Sequence, residues 1–82
     1  MEQKELEDIL TLSLDILDEE GVLKNEIRMD GNLGQSQARK YLDMVKKYES
    51  LVPKEILERI RKRVIDSRLK KQCEYYAEGN EY

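Results

Sequence analysis

At 82 residues the chain has room for one compact domain, which excludes a two-domain enzyme. Its apolar content of 39% is aliphatic, with eleven Leu, six Ile and no Phe or Trp, so the core is thin and support from a partner chain is expected; the 40% of charged residues, four Gly and one Pro are the composition of a helix-rich soluble protein. With no His and one Cys, a His/Cys zinc site, a Ser-His-Asp or Cys-His relay and an intrachain disulfide are all excluded, so neither enzyme activity nor a cofactor is expected.

In chain order, residues 3 to 20 place Leu6, Ile9, Leu10, Ile16 and Leu17 on the i, i+3, i+4, i+7 template of an amphipathic helix, with Leu14 beside them. Glu7, Asp8, Thr11, Asp15, Asp18 and Glu19 take the opposite face, and Gly21 stands where a C-cap belongs. A strand reading competes, because Leu10, Leu12, Leu14 and Ile16 also alternate with polar residues. Folded back at residues 18–21, it makes a β-hairpin over 9–29 and an α+β alternative with two following helices. The Leu-rich composition and the helical Glu2 to Asp8 favour the helix.

A short helix over 24–30 carries Ile27 and Met29, and Asp30-Gly31-Asn32-Leu33-Gly34 supplies turn formers. A helix over 35–49 gathers Ala38, Tyr41, Leu42, Val45 and Tyr48 on one face. Pro53 opens a last helix running to about residue 77, and the segment 79–82 reads as a frayed tail. That last helix has two apolar stripes more than a quarter-turn apart: Leu57, Ile60 and Val64, then Ile65, Leu69, Cys73 and Tyr76. The second stripe, on the half that overhangs a small domain, is assigned to a homodimer interface, a coiled coil between two copies. The expected architecture is all-α, four helices in all: a helix-turn-helix domain over 1–52 without a wing, and a long dimerisation helix over 53–78.

Charge divides the chain. Residues 1 to 30 carry ten Asp/Glu and three Lys/Arg, residues 31 to 72 carry twelve Lys/Arg and five Asp/Glu, and the last ten add three acids. Phosphate suits the basic half, with the acidic half turned away. No apolar run is long enough to span a membrane and no signal peptide is visible, so a cytoplasmic location is expected, with Cys73 a small half-buried thiol there.

Ile27, Gly31, Asn32, Leu33, Ala38, Tyr41 and Leu42 fill the roles that two helices crossing through a tight turn require. Such a crossing exposes Gln35, Ser36, Gln37, Arg39 and Lys40 on the first turns of the second helix, residue types that contact base edges and phosphates. Arg59, Lys62 and Arg63 are the candidate phosphate contacts. Over residues 5 to 52, Asn25-Glu26-Ile27, Asn32-Leu33, Tyr41-Leu42 and Leu51-Val52 resemble the winged helix-turn-helix regulators, especially small archaeal DNA-binding proteins ending in an antiparallel coiled-coil helix. Where that family continues into a wing, this chain goes directly to Pro53. The resemblance implies a dimeric regulator that binds double-stranded DNA with the 35–49 helix in the major groove. The alternative is a small helical interaction module or inhibitor whose acidic face takes a basic protein partner. Asp30-Gly31-Asn32 begins like a calcium loop but lacks its Gly and Glu, and Gly31-Asn32-Leu33-Gly34 matches a GXXG clamp in spacing only.

Overall fold

The computed structural model describes residues 2–79, and among them there are four α-helices and no strand: α1 (Gln3–Asp30), α2 (Gln35–Leu51), α3 (Lys54–Val64) and α4 (Ser67–Ala77). The all-α expectation holds, and the hairpin over 9–29 does not form, since that whole segment lies in α1. Helix α1 is 28 residues long, about 42 Å at 1.5 Å per residue, and accounts for the 43 Å long axis of the molecule.

The sequence reading ends the first helix at Gly21 and starts another at 24; the structure runs one helix through both. Ile9, Ile16, Glu20, Leu23 and Ile27 continue a single row facing the core, with Leu23 fully buried. Burying those side chains outweighs the ~1 kcal/mol that a glycine costs in a helix interior. The left-handed C-cap falls instead on Gly31, at φ 81°, whose N–H donates to the Ile27 carbonyl at 2.8 Å.

Helix α2 lies in the middle, packed against both α1 and α4. Pairings of Glu20 with Tyr41 and Glu26 with Gln37 set α2 antiparallel to α1. Those of Glu49 with Lys70 and Gln35 with Ala77 set α4 antiparallel to α2. The core is the row Ala38, Tyr41, Val45 and Tyr48 of α2, closed by Ile9, Ile16 and Leu23 on one side and Leu69, Cys73 and Tyr76 on the other.

The continuous helix expected over 53–77 is two helices. Ile65 and Asp66 are extended, at φ −104°, ψ 118° and φ −78°, ψ 107°. The Asp66 carboxylate restarts the chain as α4's N-cap, accepting from the N–H groups of Arg68 (3.0 Å) and Leu69 (3.2 Å). The break resolves the two apolar stripes that one straight helix cannot bury together. Ile65, Leu69, Cys73 and Tyr76 turn inward and are buried within their own chain, which corrects their assignment to a dimer interface. No unit over 53–78 projects as a separate dimerisation helix, because α4 packs along α2. Of the expected tail, Gly79 at φ 89° closes α4 and residues 80–82 lie outside the described residues.

Gly21 is exposed, and a Cβ built on it meets nothing within 4 Å. Gly21→Ala should therefore raise stability by ~0.5 to 1 kcal/mol, seen as a higher denaturation midpoint. Had residue 21 been a left-handed cap, the same change would lower it.

Candidate interaction surfaces

The expected base-reading residues sit at the start of α2, and three of the five are engaged within the chain. Gln35 Nε2 donates to the Ala77 carbonyl at 2.9 Å, and Gln37 Nε2 donates to Glu26 at 3.0 Å while its Oε1 accepts from the Gly34 N–H at 3.2 Å. Lys40 Nζ pairs with Glu19 at 3.4 Å. Ser36 and Arg39 are exposed, but Leu12 and Asp15 of α1 line the same shallow cleft as Gln35, Ser36, Arg39 and Lys40, and Asp15, Asp18 and Glu19 line the next one along with Lys40. The acidic helix thus stands beside the α2 N-terminus, where it repels an approaching phosphate.

Basic side chains gather elsewhere, at the α3–α4 break. Lys24, Arg61, Lys62, Arg63, Arg68 and Lys70 line a cleft of about 750 Å³ together with Glu20 and Asp66. Both acids are committed. Glu20, 5% exposed, accepts from the Tyr41 hydroxyl (2.5 Å) and the Asp66 N–H (2.9 Å), and Asp66 pairs with Lys24 at 2.7 Å. The Lys24 hydrogen bond holds the Asp66 carboxyl below its ordinary value, and the same bond raises Lys24. Burial and the Glu20 carboxylate push the Tyr41 phenol upward, so it stays a donor. Burial, with Glu19 and Glu20 nearby, takes the Cys73 thiol to about 12 and leaves little nucleophilic thiolate. Two of the three expected phosphate contacts, Lys62 and Arg63, are in this cleft; Arg59 is exposed on α3.

A third surface was not singled out by the sequence. Helix α3 is amphipathic, yet none of its residues is buried: Ile56 is exposed and Leu57, Ile60 and Val64 are only half covered. Between it and the N-terminal half of α1 runs a groove of about 340 Å³, lined almost wholly by apolar groups. Ile9, Tyr48 and Val52 are its buried members, and Leu6, Leu10, Ile56, Ile60 and Val64 complete the apolar lining with Arg63. At ~100° per residue, Leu6, Leu10 and Leu17 form a row about a quarter-turn from the core row of α1, with Leu14 further round. Leu10 and Leu14 are 55% and 63% exposed. Folded domains rarely leave apolar surface of this kind open to water.

Tyr48 is fully buried, and its hydroxyl has no hydrogen-bond partner among the described residues. No family model matches the chain, and neither the curated proteins nor the solved structures include a significant match. Among the described residues, no helix is long and apolar enough to cross a membrane, and no three His, Cys, Asp or Glu side chains come together as a metal cluster.

The two buried tyrosines separate two costs. Tyr41→Phe deprives the Glu20 carboxylate of a donor and should destabilise by ~1 to 3 kcal/mol, whereas Tyr48→Phe removes an unsatisfied hydroxyl and should be neutral or stabilising. Chemical denaturation of the two variants checks the ordering.

Proposed function

We propose that the protein is a small helical interaction module whose binding surface is the apolar groove between α1 and α3. The observation that carries this reading is α3 itself, an amphipathic helix with no buried residue, facing a row of exposed leucines on α1. An amphipathic helix laid in the groove, with apolar side chains at i, i+3 or i+4 and i+7, supplies the missing cover. The groove's rims differ in sign, acidic along α1 and basic along α3, and that orients the ligand helix. This keeps the interaction-module reading of the sequence and moves its site from the acidic face to the apolar face beside it.

Titration with a synthetic amphipathic helix should shift the amide NMR signals of residues 6–13 and 56–64 saturably while those of 67–77 stay in place. Ile56→Glu, at an exposed groove position, should abolish the shifts. Shifts spread evenly over the surface, or none at high peptide concentration, would overturn the reading.

Duplex DNA binding by a regulator is a second reading, favoured by the six cations around the α3–α4 cleft. In that case the contacts are to phosphate and come from Lys62, Arg63 and Arg59, with little base reading from α2. Random-sequence duplex should then bind with an affinity that falls steeply with salt, and Lys62→Ala should lower the logarithmic slope by ~0.9. Undetectable binding at low salt excludes it.

A further inference from the structure

Resting on the groove reading, we propose that the occupant is a second copy of this chain, the exposed leucine row of α1 from each copy lying on the α3 side of the other's groove, against Ile56 and Ile60. Every copy carries both halves of the contact. Leu6, Leu10, Leu14 and Leu17 are spaced by 4, 4 and 3 residues, the anchor pattern of a helix laid in a groove. From Leu6 to Leu17 the row spans about 16 Å, and Ile56 to Val64 spans about 12 Å at the helical rise, so the two surfaces are of similar length.

Charge decides which helix meets which. A two-fold interface uses the same patch on both copies, so the patch must complement itself. Residues 3–20 of α1 carry seven Asp/Glu and one Lys, whereas α3 carries five Lys/Arg and two Glu. Laying α1 on α1 sets acid against acid, and laying α3 on α3 sets cation against cation. Crossing them reciprocally sets opposite charges together at both ends. Glu7 and Asp18 flank the leucine row on its solvent side, and Arg59 and Arg63 flank Ile56. Size fits as well. A stable interface takes about 800 Å² from each partner, little more than half of it apolar, and five large aliphatic side chains between 41% and 63% exposed, bordered by these charges, make a patch of that order.

The test is sedimentation across a range of protein concentrations, with helicity followed by circular dichroism. Wild-type protein should dimerise, and Leu14→Glu, at a position already largely in water, should weaken self-association roughly tenfold or more with helicity unchanged. A wild-type monomer at high concentration, or a dimer indifferent to Leu14→Glu, overturns the proposal. The crossed arrangement has its own arm. Arg59→Glu with Arg63→Glu, and separately Glu7→Lys with Asp18→Lys, should each self-associate more weakly than wild type, while a mixture of the two should form a heterodimer stronger than either homodimer. Absence of preferential pairing in the mixture overturns it. Leu14 does not line the groove, so the peptide titration repeated on the Leu14→Glu variant reads the interaction-module function separately. A monomer that still takes the peptide refutes the second copy and leaves the groove standing.

Discussion

The carboxylate of Glu20 is the constraint around which the other helices are arranged. It projects from α1 into the interior and accepts a hydrogen bond from the Tyr41 hydroxyl of α2 and another from the backbone N–H of Asp66. A buried acid tolerates burial only when such donors surround it. One turn further along α1, Lys24 holds the Asp66 side chain. Residues 20 and 24 of one helix therefore grip both the backbone and the side chain of the residue at which the last third of the chain changes direction.

Everything downstream follows from that grip. Two extended residues at 65 and 66 release α4 from the axis of α3, and the Asp66 side chain caps the new helix, so the break leaves few backbone groups unsatisfied. Helix α4 then lies along α2 and buries Leu69, Cys73 and Tyr76. Helix α3 is left beside the N-terminal half of α1 with none of its own residues buried, and that leaves the apolar groove between them open.

The charge asymmetry of the chain acquires a spatial meaning in the same way. The acidic α1 runs beside α2, where Glu19 and Glu26 engage Lys40 and Gln37, and the cations of the second half collect at the α3–α4 cleft. Polar residues at the start of α2 that a sequence reader assigns to nucleic acid are drawn into contacts with α1 and with the end of α4. Their type suits base edges, but the neighbours that tertiary packing supplies claim much of their hydrogen-bonding capacity.

Local pattern was enough to determine the helical class, the α2 stripe of Ala38, Tyr41, Val45 and Tyr48, the turn at Gly31 to Gly34 and the start of α3 after Pro53. Each depends on a period of 3.6 residues or on backbone chemistry within a few positions. The two apolar stripes of the last segment were legible too, but the Asp66 cap between them emerged only with the structure. Their consequence was not legible. Whether a second stripe faces a partner or folds back depends on a kink of two residues, and that kink is held by Glu20, 46 positions earlier in the chain. Gly21 was misread for the same reason: its local signal is a helix end, but Leu23 and Ile27 find a core to enter only once α2 is in place. The groove between α1 and α3 had no signature in any one segment. Its walls come from residues 6–13 and 56–64, each an ordinary amphipathic helix alone, and only their placement side by side leaves an apolar surface open.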